Sequence, residues 1–187
     1  MDRHLCEPRP LHLAPEAPQA AGPAAEGGDV SKGEFKLKTR FLATANVGEY
    51  RDTIPHVVAP GDVVLEVGCE WGTTSTLLAA QCRELVATDI SAECIERARR
   101  EHPDIRFEVL DGFDLRAVLD LARPFTKVYI DMSGLSGYHS LLDAIALLMA
   151  YAVTLRPEAI VVKSNALKRF AWHCIPWGAG RAEPKGG

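Results

Sequence analysis

The stretch Asp62-Val63-Val64-Leu65-Glu66-Val67-Gly68-Cys69-Glu70-Trp71-Gly72-Thr73-Thr74 decides the fold. Its first part, DVVLEVGC, is an apolar run without strict alternation, the pattern of a strand buried on both faces of a parallel sheet. Gly68 and Gly72 bracket a turn in which backbone can approach a ligand closely. Thr73 then opens a helix, rich in Leu and Ala, that runs to Gln81 and whose first N–H groups are free. Strand, glycine turn and helix form the opening unit of a doubly wound α/β sheet, where ligands bind beyond the carboxyl ends of the strands.

Working outward, Glu84–Ile90 (ELVATDI) is a second strand, and Ser91 caps a helix through Arg100 that Pro103 ends. Ile105–Asp111, Thr126–Met132 and Ala159–Ser164 are three more strands, with helical patterns over 114–122 and 139–155. The expected fold is therefore α/β, a Rossmann-like, mostly parallel sheet with these strands ordered 3-2-1-4-5. Only 23 of the 187 residues follow Ser164, so the last one or two strands of such a sheet are expected to be missing or very short.

Residues 1–30 hold five of the twelve prolines, six alanines and three glycines without hydrophobic periodicity, and are expected to be a disordered tail. Residues 31–60 read as a helical, basic segment, 61–177 as the sheet domain, and 178–187 as a flexible tail. With 47% apolar and 25% charged residues the composition is that of a globular protein. No apolar run reaches the length of a membrane span. There is no apolar run of the secretory type after the start. Five scattered cysteines (Cys6, Cys69, Cys82, Cys94, Cys174) lack a CxxC pair and read as reduced intracellular thiols, cytoplasmic or nuclear, with no metal site.

The strand ends carry the chemistry. Asp89 ends the second strand twenty-one residues after Gly68, a spacing that suits a carboxylate accepting hydrogen bonds from the hydroxyls of an adenosine ribose. Asp111-Gly112 ends the third, where a short acid can meet an adenine amino group. The turn is G-x-x-x-G, and Glu70 stands where a pyrophosphate loop needs glycine and would repel phosphates. NAD and ATP are disfavoured, and a nicotinamide-dependent oxidoreductase with them. The fourth strand ends in Asp131 and the neighbouring fifth in Lys163. Their juxtaposition is either a salt bridge tying two strands together or a catalytic pair.

On Glu66, Gly68, Gly72 and Asp89 the sequence resembles class I methyltransferases over about residues 60–165. That resemblance implies S-adenosylmethionine as cofactor, held by Glu66, Gly68, Cys69, Gly72, Thr73, Thr74, Asp89, Asp111 and Gly112. A sulfonium cation without phosphate suits an acid-lined pocket. The glycine turn with Thr73-Thr74, Asp131, and Lys163 in a VVK strand look like the fibrillarin and FtsJ types of RNA 2′-O-methyltransferase. Those families imply a Lys-Asp-Lys core, matched here by Asp131, Lys163 and a lysine before the sheet, Lys38 in preference to Lys36.

Charge distribution bears on an RNA partner. The net charge of −4 divides into −3 over residues 1–30 (two basic, five acidic), +3 over 31–51 (five, two), −8 over 52–162 (nine, seventeen) and +4 over 163–187 (five, one). Two cationic flanks are thus expected to meet near Lys38 and Lys163, compatible with a phosphate-bearing acceptor. The alternatives are a methyltransferase acting on a small molecule or protein, and a non-catalytic S-adenosylmethionine-binding module that serves as a partner subunit. Trp71, Tyr138 and His139, and Phe170, Trp172 and Trp177 beside Lys168 and Arg169, each read either as pocket-lining or as ordinary packing.

Overall fold

A computed structural model describes residues 37–135 and 137–174. All of them belong to the second of two units, Lys36–Gly187. The elements are β1 (Arg40–Thr44), α1 (Val47–Asp52), α2 (Ile54–Val57), β2 (Val63–Val67), α3 (Thr73–Ala79), β3 (Glu84–Asp89), α4 (Ala92–Glu101) and β4 (Arg106–Val109). They continue with α5 (Leu115–Asp120), β5 (Lys127–Ile130), two short 3-10 turns at Ser133–Leu135 and Tyr138–Ser140, α6 (Leu141–Thr154), β6 (Ala159–Lys163) and α7 (Asn165–His173). The six strands form one all-parallel sheet in the order β1-β6-β5-β2-β3-β4. The five strands read from the sequence are β2 to β6, in the expected relative order.

The sheet is covered on both faces because its strands are apolar at successive positions, as in β2, where all five residues are buried. Val63, Leu65 and Val67 point to one face with Val128, Ile130, Ile160 and Val162, under Val118 of α5 and Leu147, Leu148 and Tyr151 of α6. Val64, Ala87, Tyr129 and Val161 point to the other, under Tyr50, Ile54, Leu78 and Ile95 of α1, α2, α3 and α4. The period of two along a strand thus puts Glu66 on the α1/α3 face, together with Tyr129. Sequence-read helix starts hold up in detail. Ser91 caps α4 by accepting from the Cys94 N–H, and Asp114 caps α5 by accepting from those of Arg116 and Ala117.

One expectation needs correction. Within the segment 31–60, expected to be helical, residues 40–44 are a strand: β1 pairs along its whole length with β6, Arg40 opposite Ala159 and Thr44 opposite Lys163, forms an edge of the sheet and leads into α1 and α2. Its pattern RFLAT has only one fully buried residue, as an edge strand does, and so lacks the apolar run that revealed the central strands. Beyond β6 the chain enters α7, capped by the Ser164 hydroxyl, which accepts from the Leu167 N–H. No helix among the described residues is long and apolar enough to cross a membrane.

Candidate functional site

The carboxyl ends of β2, β3, β4, β5 and β6 surround a cavity of about 420 Å³. Its wall combines three acids, Glu70, Asp89 and Asp131, with Lys163 and an apolar part that includes Ile90, Leu110 and Met132. Cavities of this size hold small molecules, and a few convergent polar groups in an apolar wall are what orients one.

The floor is shaped by glycines. Gly68 has φ +84°, in the left-handed region, and a Cβ there would run into the Asp131 carbonyl, so glycine lets the β2 turn pass directly against the end of β5. A Cβ on Gly112 would lie 2.5 Å from Val67 Cγ1. Both glycines therefore make room for neighbouring protein atoms, and the gain to a ligand is the depth of the cavity they line. The turn is pinned to β3: the Gly68 and Cys69 N–H groups donate to the Thr88 carbonyl at 2.8 and 2.9 Å. Glu70, itself at φ +51°, donates its N–H to Asp89 Oδ2 at 2.9 Å, while Ser91 N–H donates to Asp89 Oδ1 at 2.9 Å. Each Asp89 oxygen has one backbone donor and keeps acceptor capacity for a ligand hydroxyl. The carboxylate is thus fixed in place, facing the cavity.

On the opposite wall Asp131 and Lys163 form a direct ion pair, their side chains 18% and 23% exposed. The register explains it: Ile130 lies opposite Val162, so the next residue on each strand meets the other at the sheet end. The structure therefore brings together Asp131 and Lys163, and sets Asp89, Gly68 and Gly112 around the same cavity.

Other expected site residues stand elsewhere. Lys38 precedes Arg40, which pairs with Ala159 at the start of β6, whereas Lys163 ends that strand. With about 3.3 Å of rise per residue, the five-residue strand between them puts Lys38 at the amino end of the sheet, well over 10 Å from Lys163. The Lys-Asp-Lys core is consequently not assembled with Lys38, because residues 40–44 form a parallel strand that carries the chain from one end of the sheet to the other. Lys36 lies outside the described residues, as does Trp177.

Glu66 is 1% exposed and off the cavity wall. It accepts a 2.5 Å hydrogen bond from Ser75 Oγ. Burial pushes its carboxyl up to about 7, with Asp131 and Asp89 adding to the rise and the Ser75 hydrogen bond and Arg51 opposing it. Cys69 is also buried, its thiol pushed far up by burial and then by Glu66 and Asp89, which makes it an inert packing group. Thr74 is buried and accepts from Arg51 Nε at 3.0 Å, and Thr73 opens α3. Gly72, at φ +86°, faces His102 and Phe107. Asp111 turns its Oδ1 to the Phe113 N–H at 2.9 Å, leaving Gly112 on the wall. Trp71 lies under the Arg97 guanidinium, 3.9 Å from its ring centroid, and does not line the cavity.

Sequence inspection missed the apolar wall. Ile90 and Leu110 each follow a strand-end position by one residue, and that placement was the available signal. The donor set fits an adenosine sulfonium: apolar side chains for a purine, a pre-fixed carboxylate for a ribose, and two further acids near a cation.

A family model described as "Methyltransferase domain" matches residues 64–157. No curated protein matches the chain. Among solved structures, DesVI of Streptomyces venezuelae is 22% identical, with 62% of this chain and 48% of that one covered and a TM-score of 0.49. The sugar N-methyltransferase KedS8 of Streptoalloteichus is 18% identical, with 81% and 59% covered and a TM-score of 0.48. An rRNA methylase of Streptococcus thermophilus is 14% identical, with 55% and 62% covered and a TM-score of 0.43. The chain spans less than two thirds of the length of each.

Proposed function

The chain belongs to the methyltransferase-domain family, and from that premise we propose that it transfers a methyl group from S-adenosylmethionine to a nucleophile that meets the donor beside Lys163 and Asp131. The observation that carries this proposal is the cavity itself: a fixed ribose-type carboxylate, Asp89, at one wall and the Asp131–Lys163 pair at the other. When bound, the cofactor supplies an electrophilic methyl on a cationic sulfur. Ile90, Leu110 and Met132 would hold its purine, Asp89 its ribose hydroxyls, and Glu70 and Asp131 favour its positive charge. Gly68 and Gly112 keep the cavity deep enough to receive it.

Methyl transfer by direct displacement needs the acceptor atom in line with the sulfur–methyl bond, and positioning is worth about 7–11 kcal/mol in such reactions. In this reading Lys163 contacts the acceptor, and its ion pair with Asp131 sets the direction of its Nζ. Base assistance adds typically about 10²–10⁴-fold. A ribose 2′-hydroxyl is the finer reading of the acceptor. It is supported by Asp131 and Lys163, without the flanking lysine that Lys38 was expected to supply.

The test is ligand-dependent melting followed by transfer. S-adenosylmethionine and S-adenosylhomocysteine should raise the melting temperature by mass action and NAD should not. Labelled methyl donor with bulk RNA, bulk protein and sugar acceptors then identifies the nucleophile. Equal effects of all three ligands, or of none, would overturn the proposal.

A further inference from the structure

Next to the acid-walled cavity lies a second cleft of about 360 Å³ with the opposite character, lined by Ala45, Asn165, Lys168, Arg169, Trp172 and His173. Its position is set by the sheet. Thr44 pairs with Lys163, and Ser164 N–H donates to the Thr44 carbonyl at 2.9 Å, so Ala45 and Asn165 continue outward from the register pair that carries Lys163. The cleft therefore opens at the same sheet end as the Asp131–Lys163 pair, on the side away from Asp89.

The α7 residues Asn165, Arg169, Trp172 and His173 recur at spacings of three and four and share one helical face. Trp172 is 80% exposed, an unusual state for the largest apolar side chain. Lys168 is committed: its Nζ donates to Glu49 Oε2 at 2.6 Å, and the same oxygen accepts from the Ala45 N–H at 2.8 Å. That pair cancels the neighbouring acid. Arg169 is held only by a 3.4 Å contact from Nε to Asn165 Oδ1, so its guanidinium is free among the described residues to take a ligand anion. No acid lines the cleft among the described residues.

We propose that this cleft is the acceptor subsite and takes a nucleotide unit, whose base stacks on Trp172 and whose phosphate is held by Arg169 with His173. This rests on the methyltransferase reading for its role as acceptor site, but the binding itself does not. The two cavities divide the charge: a cationic donor suits the acid wall at Asp89 and Asp131, and an anionic acceptor suits the α7 face. An aromatic surface beside a guanidinium selects a base with its phosphate over an acidic peptide, which offers charge without a ring to stack.

The experiment measures binding of the full chain to a labelled single-stranded oligonucleotide, a mononucleotide and a polyglutamate peptide, by anisotropy or competition, for wild type, Trp172→Ala and Arg169→Ala. Circular dichroism and S-adenosylmethionine calorimetry are run on the same samples. Trp172→Ala should weaken nucleotide binding about 5-fold or more. Arg169→Ala should lower the salt slope of oligonucleotide binding by about 0.7. Folding and cofactor affinity should be unchanged in both. Binding of the mononucleotide shows that one unit suffices, and binding of the oligonucleotide alone assigns the subsite to a strand. No nucleotide binding, equal binding by wild type and Trp172→Ala, or polyglutamate binding as tight as nucleotide would overturn the proposal. Loss of S-adenosylmethionine binding in wild type with nucleotide binding retained would overturn the methyltransferase reading and leave the subsite standing.

Discussion

Glu66 offers a measurement that isolates one buried group. It sits on the α1/α3 face of β2, 1% exposed, with Ser75 Oγ donating to its carboxyl at 2.5 Å. Its folded-state value of about 7 stands above the ordinary 4.5 because burial disfavours the carboxylate, with Asp131 and Asp89 adding repulsion. Between these two values the folded chain keeps a proton that the unfolded chain has lost, so stability falls as pH rises. The contribution is fully present below about 4.5, declines through the window, and is gone above about 7. At about 1.4 kcal/mol per pKa unit the loss is about 3 kcal/mol. Glu66→Gln keeps an acceptor for Ser75 but cannot ionise. Urea unfolding of both proteins from pH 4 to pH 8.5 should therefore show matching pH profiles at the acid end and a growing advantage for Glu66→Gln, reaching about 3 kcal/mol at pH 8. Contributions from other titrating groups cancel in the difference. A difference that stays constant over that range would refute the burial argument. An advantage that grows on acidification would reverse its sign.

Three further outcomes follow from the same geometry. Lys163→Ala should reduce methyl transfer by at least about 100-fold and leave S-adenosylmethionine affinity within about 2-fold, as calorimetry with single-turnover assays would read; unaltered turnover would remove Lys163 from the chemistry. Asp89→Ala should weaken S-adenosylmethionine binding about 10-fold or more, because hydrogen bonds to a charged acceptor are worth about 1.5–3 kcal/mol, and unchanged affinity would place the ribose elsewhere. Gly68→Ala forces a side chain onto φ +84° and into the Asp131 carbonyl, and should cost about 2 kcal/mol or more in urea unfolding; a neutral result would contradict the close approach of the β2 turn to β5.

The parts of the fold that the sequence revealed are those where one physical demand dominates. Strands buried on both faces must be continuously apolar, so β2, β3, β5 and β6 stand out, and parallel pairing of β5 with β6 then forces Asp131 against Lys163. Edge strand β1 answers to a weaker demand, since only one side is paired, and RFLAT resembles any loop entering a helix. Missing β1 is what misplaced Lys38. A lysine a few residues before a sheet was expected to lie near the catalytic end, but a parallel strand enters at the amino end and delivers Ala45, not Lys38, to the carboxyl end of the sheet. Glu66 shows the complementary limit. Its position at the second-last residue of the strand before the turn was legible, yet which way it faces is fixed by the pleat relative to the helices. The side that faces α3 is a buried one, where Ser75 meets it. In this fold the parity along a strand determines which face a residue takes, and its height relative to the strand end determines whether its side chain reaches the cavity. Asp131 and Lys163 share the parity of Glu66, but they lie at the strand ends, where the covering helices give way to the cavity. That two-residue difference in height separates a partly exposed ion pair from a carboxyl that holds its proton to about pH 7.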